Sequence, residues 1–186
     1  MLYLASTSPR RKKLLRDLKI PFKTIKPEYL ENDEIGQKPL SMVRAHALGK
    51  ALSGAKRVKE GTVLSADTTV FFQGDIIAKP RDHRHAFQIL KSLQGKWHTV
   101  YTGVAVLSVK NGKVIRRRVF VEKTRILLKK MTFSEIKAYF KKIDPLDKAG
   151  AYAIQVKSNN IVEKIQGSFS NAVGLPMERI VKILSE

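Results

Sequence analysis

The sequence predicts an α/β fold in which helices flank a mixed, partly antiparallel sheet. Runs of aliphatic and β-branched residues typical of strands recur along the chain, and amphipathic helices separate only some of them. The turn KNGK at residues 110–113 joins two long strands directly, which predicts an antiparallel pair. The 186 residues suffice for one domain, residues 1–186, either undivided or with two lobes around a central cleft.

The first predicted element is a short strand followed by a helix with a basic first turn. Leu2–Ala5 is apolar, Ser8 suits a helix N-cap, and Pro9 suits the first helical position. Residues 10–13, RRKK, place four positive charges at the positive end of the helix macrodipole, where acidic residues are normally favoured. A bound phosphate would make this placement favourable. The alternative is a basic helix end that is solvated and binds nothing.

Helix and turn signals define the elements up to residue 80. Pro39 begins a helix that we expect to bury Leu40, Val43 and Ala47 and to end at Gly54. The dipeptide QG at residues 73–74 is typical of a hairpin turn. The predicted elements are a strand at 21–25, an acidic loop at 26–38, a helix at 39–53, and strands at 62–66, 70–72 and 75–77.

Capping residues define the helices of the second half. Asp82 is suited to cap a helix that ends near Gly95, and Thr132 with Glu135 matches a capping box. Pro176 is placed to open the last helix. The predicted elements are helices at 82–93, from 132 and from 176, strands at 97–107, 114–128 and 161–165, and a functional loop at 144–155.

The composition excludes several classes of protein. The chain has no cysteine, which excludes thiol catalysis, thiolate metal sites and disulfides. No apolar run approaches the roughly 18 residues of a membrane span, and the N-terminus lacks the apolar core of a signal peptide. We therefore expect a cytoplasmic protein without membrane contact.

The formal net charge of +20 predicts an anionic partner such as a nucleotide, a nucleic acid or an acidic lipid. The basic residues are spread through predicted helices and strands, and no helix-turn-helix, zinc-finger or RNP pattern is present. Any binding to nucleic acid is therefore expected to be weak and nonspecific. The sequence also leaves a homodimer open.

Two acidic positions predict a metal site. Glu31 lies in the acidic loop, and Asp67 follows an apolar strand, where α/β sheets commonly place ligands. Together they could hold Mg²⁺, while Arg11, Lys50 and Lys79 neutralise a polyphosphate. These are the groups that phosphoryl or nucleotidyl chemistry needs. The alternatives are that Asp67 caps a turn and that Lys50 is a solvated helix lysine.

Other nucleotide-binding signatures are missing from the sequence. There is neither a G-x-x-x-x-G-K-[ST] phosphate loop nor a G-x-G-x-x-G fingerprint, which argues against a P-loop NTPase and a dinucleotide-binding Rossmann protein.

Of the four histidines, His83 and His85 are predicted to lie on the surface.

Six motifs in order along the chain resemble the Maf family of nucleoside triphosphate pyrophosphatases. They are LASTSPRRKKLL at 4–15, VLSADTTV at 63–70, AKP at 78–80, YTGV at 101–104, DKAGAYAIQ at 147–155 and GSFSNAVGLP at 167–176. The resemblance implies an elongated fold similar to the inosine triphosphate pyrophosphatases. It also implies metal-dependent hydrolysis of a nucleoside triphosphate to the monophosphate and pyrophosphate, with Mg²⁺, Mn²⁺ or Co²⁺ as the metal.

The resemblance also implies roles for individual residues. It implies phosphate contacts from Ser8, Arg11, Lys50 and Lys79, metal binding by Glu31 and Asp67, and catalytic roles for Asp67, Glu31, Lys50 and Lys79. It further implies base selection by Arg10, Thr68 and Gln155, a combination that resembles the subgroup acting on dTTP, UTP and modified pyrimidine nucleotides. A glutamine amide offers both a donor and an acceptor to the edge of a uracil-type base.

The chain resembles the family less closely where Ala153 and Val156 flank Ile154 and Gln155, because the family often has glycines there.

Three other functions are compatible with the sequence. An inosine or xanthosine triphosphate pyrophosphatase, or a 7-methyl-GTP pyrophosphatase, would share the fold and the reaction. A basic regulator that binds nucleic acid or a division protein would keep only a vestigial pocket.

Overall fold

The computed structural model describes residues 1–31, 38–155 and 161–186. Asp33 and Glu34 of the predicted acidic loop, and Val156 beside Gln155, lie outside the described residues. No helix in the described part of the chain is both long enough and apolar enough to cross a membrane.

Within these described ranges, seven strands form one mixed sheet in the order β2-β1-β3-β5-β6-β7, with β4 paired to β3. β1 pairs in parallel with β2 and β3, and the other pairs of named strands are antiparallel. The strands are β1 Leu2–Ala5, β2 Phe22–Ile25, β3 Gly61–Phe72, β4 Asp75–Ile77, β5 Trp97–Lys110, β6 Lys113–Leu128 and β7 Val162–Gln166. The predicted α/β class and mixed sheet are confirmed.

Six helices and one 3₁₀ turn accompany the sheet in the described residues. The helices are α1 Pro9–Asp17, α2 Pro39–Ala55, α3 His83–Leu93, α4 Phe133–Phe140, α5 Phe169–Val173 and α6 Met177–Leu184, and the 3₁₀ turn is Ala149–Ala151. Asp82 caps α3, and Thr132 with Glu135 forms the predicted capping box of α4.

The side chains of β3 alternate between two different packing layers, as strand geometry requires. On one face, Val63 packs in a cluster with Ala47 and Ala51 of α2. On the other face, Leu64 packs with Leu15 of α1 and Ile180 of α6. The helix α2 therefore covers one face of β3, whereas α1 and α6 cover the opposite face.

The long strand β3 corrects one prediction. We expected separate strands at 62–66 and 70–72, with Asp67 at the end of the first, but β3 continues through Asp67 to Phe72. It does so because β5 pairs with it from Gly61↔Val109 to Phe71↔Thr99. This long partner keeps the polar ADTT stretch extended.

Two further predictions fail at α2, and one helix was not predicted. Gly54 lies inside α2 and does not end it; a Cβ there would lie 2.9 Å from the Cβ of Ala5, so the glycine allows close packing on β1. Leu40 is 51% exposed in the first turn of α2 and lies outside its buried face. The five-residue α5 was not predicted because it is too short to show a helical period.

Candidate active site

One edge of β3 is open at residues 65–69. β5 covers the other edge, whereas on this edge the pairing with β1 ends at Leu4↔Leu64 and the pairing with β4 starts at Val70↔Ile77. No strand in the described ranges pairs with the stretch between them. Unpaired backbone N–H and C=O groups on a strand edge are available to a ligand.

The two ends of this opening carry predicted phosphate-binding segments. At one end β1 leads into the turn 6–8 and the start of α1. At the other end lies β4, which runs antiparallel to β3 and ends at Ile77, opposite Val70. The chain runs there back towards the level of Thr68, and Lys79 follows Ile77 by two residues. Lys79 is exposed, and its side chain makes no hydrogen bond or ion pair with any residue of the described ranges.

On the α2 side of β3, Lys50 joins two carboxylates. Its Nζ lies 2.6 Å from Asp67 Oδ1 and 2.6 Å from Glu31 Oε1. Lys50 and Asp67 are largely buried, with 12% and 13% of their side chains exposed. His46 lies one helical turn before Lys50, and its Nδ1 is 3.6 Å from Asp67 Oδ2.

A glycine of β5 allows α2 to come this close. Asp67 is paired directly with Gly103, and a Cβ on Gly103 would lie 2.1 Å from the carbonyl oxygen of Val43. In addition, the hydroxyl of Ser65 donates to the carbonyl of Ala47. These contacts place Lys50 and His46 of α2 directly over Asp67.

The ligand atoms of Glu31, His46 and Asp67 all lie within 4.8 Å of one another. Two carboxylates with open positions for water and phosphate suit Mg²⁺, and an added imidazole suits Mn²⁺ or Co²⁺. The ammonium of Lys50 already contacts both carboxylates, so the site stabilises a cation. The residues present therefore fit a divalent metal.

On the opposite face of β3, three acceptors hold the guanidinium of Arg11. Its Nε donates to the carbonyl of Gly174 at 2.9 Å, and its Nη2 and Nη1 donate to the hydroxyls of Thr68 and Ser6 at 3.0 and 3.4 Å. Gly174 has φ +127°, and a Cβ there would lie 3.4 Å from Arg11 Nε. Since a guanidinium has five N–H groups, two remain for a phosphate.

Burial lowers the pKa of Arg11, and the negative charge of Asp67 opposes this change. A guanidinium remains protonated under such a shift. Ser8 accepts from the backbone N–H of Arg11 at 3.5 Å, and Ser6 accepts from the N–H of Ser8 at 3.2 Å. The turn before α1 is therefore built around a cation that stays charged.

The three predicted base-selecting residues lie on different segments and share no hydrogen bond in the described ranges. Arg10 Nη1 donates to Asp147 Oδ2 at 3.0 Å, which ties α1 to the loop 144–155. In that loop Ala153 is bonded through both its N–H and its carbonyl to the hydroxyl of Tyr139, at 2.8 and 3.0 Å. Gln155 follows two residues later and is exposed, and Thr68 contacts Arg11, not Arg10.

Sequence reasoning missed several residues of this region. His46 could have been found, because it precedes Lys50 by four residues and must share its helix face. Ser6 could have been found from the Ser-rich turn. Thr102 and Asn171, which continue the hydrogen bonds of Thr68, carry no local signal because only the register of β3 on β5 brings them together.

Glu31 and Asp67 hold the ammonium of Lys50 on one face of β3, and Arg11 lies on the other face, an arrangement suited to a protein that binds an anion together with a cation. The model of the family described as Maf-like protein matches residues 1–186, so the chain belongs to the Maf family.

Two relatives named dTTP/UTP pyrophosphatase match nearly the whole chain. The protein from Carboxydothermus hydrogenoformans is 40% identical over 185 residues, covering 100% of this chain and 97% of the relative. The protein from Thermosipho melanesiensis is 43% identical over 182 residues, covering 97% and 94%.

Among solved structures, the Ham1 protein of Staphylococcus aureus aligns with a TM-score of 0.55 and 14% identity, covering 99% of this chain and 97% of that one. A HAM1 protein from Coxiella burnetii gives the same TM-score and identity, covering 99% and 98%. At this identity the similarity shows the fold alone.

Proposed function

We propose that this chain is a divalent-metal-dependent nucleoside triphosphate pyrophosphatase that acts on dTTP and UTP and related modified pyrimidine nucleotides. The products are the nucleoside monophosphate and pyrophosphate. The observation that carries the proposal is the group formed by Asp67, Lys50 and Glu31, at the open edge of a strand whose other face presents Arg11. The names of the relatives supply the substrate class.

Asp67 is the residue we assign to the chemical step, with hydrolysis between the α and β phosphates. Its carboxylate is buried beside Lys50 and His46, so it is held in one position against the attacking water. A bound divalent metal would supply the charge that polarises the phosphate and activates that water. Glu31 and Asp67, with His46, are the residues that would hold it.

The phosphate groups are bound by cations from both faces of β3. Arg11 offers two N–H groups, and the start of α1 adds its backbone N–H groups and Ser8. With a divalent metal held by Glu31 and Asp67, the ammonium of Lys50 would be available to contact a phosphate oxygen. Lys79, which follows β4 beside the unpaired edge of β3, is the third side-chain cation that contacts the phosphate groups.

The base is recognised by Arg10, Thr68 and Gln155. The ion pair of Arg10 with Asp147 and the hydrogen bonds of Ala153 with Tyr139 hold the two segments that carry Arg10 and Gln155. An inosine, xanthosine or 7-methyl-guanosine nucleotide would need a larger base site.

The net charge of +20 supports weak nonspecific nucleic-acid binding as a secondary property. A regulator with a vestigial pocket is disfavoured, because a surface that only binds nucleic acid gains nothing from the buried Asp67 and the acidic Glu31, which repel phosphate. The cytoplasmic location, the homodimer and the single-domain organisation stay predictions.

Pyrophosphate release from a nucleotide panel with Mg²⁺ tests the proposal. We expect kcat/KM for dTTP and UTP to exceed that for dCTP, dGTP, inosine triphosphate and 7-methyl-GTP, and chelation of the metal to stop the reaction. Release of orthophosphate alone would contradict the bond assignment. DNA binding without hydrolysis, losing affinity steeply with salt, would favour the regulator.

A further inference from the structure

The hydroxyl of Thr68 belongs to a chain of hydrogen bonds that runs from α1 to α5. Arg11 Nη2 donates to Thr68 Oγ1, which lies 3.0 Å from Thr102 Oγ1, and Thr102 Oγ1 lies 3.1 Å from the carbonyl oxygen of Asn171. Thr68 and Thr102 are direct partners on β3 and β5. Thr102 is fully buried, whereas Thr68 keeps part of its surface exposed.

The direction of these hydrogen bonds follows from the number of protons. A hydroxyl carries one proton, and the carbonyl of Asn171 can only accept. Thr102 must therefore donate to Asn171, since otherwise two acceptor oxygens would face each other at 3.1 Å in the interior. The proton between the two threonines is then that of Thr68.

With the hydrogen bonds in this direction, Thr68 Oγ1 has one lone pair left for a ligand. Its proton is bonded to Thr102, and one of its two lone pairs accepts from Arg11. The remaining lone pair can only accept. A phosphate oxygen is also an acceptor, so it is a poor partner, and the ligand atom that faces Thr68 must carry a proton.

We infer that Thr102 is a positioning residue that fixes the hydrogen-bond polarity of Thr68, and that this polarity favours bases with a protonated ring nitrogen. The inference rests on the proposed function. The N3–H of uracil and thymine donates to the free lone pair, whereas N3 of cytosine is an acceptor and is repelled by it. Because the site must then leave a polar group unpaired, it discriminates strongly against the wrong base.

A second threonine offers a matched control. Thr124 is also fully buried, accepts from Asn171 Nδ2 at 2.9 Å and donates to the carbonyl of Ser168 at 2.8 Å. It thus holds α5 as Thr102 does, but none of its hydrogen bonds reaches Thr68. A Thr124→Val variant separates loosening of α5 from a change in the polarity of Thr68.

The test is the ratio of kcat/KM for UTP to that for CTP in wild type, Thr102→Val, Thr102→Ser and Thr124→Val. Thr102→Val frees the proton of Thr68 to donate to cytosine N3, so we expect the ratio to fall about tenfold or more. Thr102→Ser keeps a hydroxyl and should restore the wild-type ratio. Thr124→Val should also retain it, even if overall activity falls.

An unchanged ratio in Thr102→Val, or an equal fall in Thr124→Val, would overturn the inference. If Thr102→Val does not fold, Thr68→Val at the partly exposed partner position tests the inference. Loss of the lone pair should lower the ratio by a similar factor, and an unchanged ratio overturns the inference. If wild-type protein hydrolyses neither UTP nor CTP, the proposed function is wrong and this inference fails with it. If wild-type protein hydrolyses UTP but the ratio does not respond to Thr102→Val, only this inference fails.

Discussion

Asp67 and Thr68 are consecutive residues of β3, yet their side chains lie on opposite faces of the sheet. Asp67 contacts Lys50 of α2, whereas Thr68 contacts Arg11 of α1. In the described ranges no strand pairs with the edge of β3 opposite β5, between these two faces, at residues 65–69. A one-residue slip of β3 on β5 would exchange the two faces and destroy the site.

Replacing Arg11 should weaken catalysis far more than replacing its basic neighbours. Arg11→Ala removes a guanidinium that is held by Gly174, Ser6 and Thr68 and still has two free donors, so we expect kcat/KM for UTP to fall roughly 10²-fold. Arg11→Lys should lose nearly as much, because an ammonium cannot contact three acceptors and a phosphate in this geometry.

The matched control for Arg11 is Lys13→Ala. Lys13 is exposed and its Nζ pairs with Asp17 at 2.8 Å, so its removal should change kcat/KM by less than about twofold. Thermal unfolding of each variant separates loss of activity from loss of folded protein. Equal effects at both positions would show that α1 supplies only a diffuse positive field.

Removing the charge of Lys50 should strengthen metal binding while slowing hydrolysis. In Lys50→Gln the carboxylates of Glu31 and Asp67 lose their competing cation, so we expect the Kd for Mn²⁺, measured by calorimetry without nucleotide, to fall about tenfold. Lys56→Gln, at the exposed C-terminus of the same helix, is the control and should leave the Kd unchanged. Weaker Mn²⁺ binding in Lys50→Gln would show that the lysine does not compete with the metal.

Gln155→Ala should change the nucleotide preference and not merely the rate. If the amide contacts the base, the ratio of kcat/KM for UTP to that for CTP should fall about tenfold. The exposed Gln88→Ala variant on α3 controls for nonspecific effects. An equal loss on every nucleotide would mean that Gln155 only supports its own loop.

His98 should make the fold sensitive to mild acid. Its Nε2 lies 2.6 Å from the hydroxyl of Tyr152, and burial lowers the pKa of His98 from 6.5 to about 4. Below the pKa of about 6.5 in the unfolded chain, the unfolded state binds a proton that the folded state does not. Stability is therefore lost as the pH falls from about 6.5 towards about 4.

The measurement is the free energy of unfolding at pH 7 and pH 5. His98 should account for a decrease of about 2 kcal/mol between them, and His98→Gln should lack this part of the slope. His83→Gln, at an exposed histidine, should keep it. Identical slopes in wild type and His98→Gln would contradict the buried neutral imidazole.

Local signals predicted most of the fold, and non-local contacts explain what they missed. The capping box at Thr132 and the hairpin turn at 110–113 are complete within a few residues, so the sequence alone identifies them. By contrast, the polar ADTT stretch resembles a turn, and only pairing with β5 makes it part of a strand. The strand end predicted at Asp67 was wrong for this reason.

The same distinction applies to the site. Glu31, Lys50 and Asp67 could be proposed from charge, pattern and resemblance, and the structure brings their side chains together. The hydrogen bond from Thr102 to Asn171 could not be predicted, because these residues are far apart in the chain and meet only through strand register and the packing of α5.

The most direct test of the site around Asp67 is the turnover of Asp67→Asn with UTP and Mg²⁺. The control is Asp75→Asn, at an exposed aspartate in β4. We expect kcat of Asp67→Asn to fall roughly 10²-fold or more while the folded fraction is retained, because the substitution removes the carboxylate that orients the water or holds the metal. Asp75→Asn should keep the wild-type rate. Near-normal turnover in a folded Asp67→Asn protein would contradict the assignment of this site.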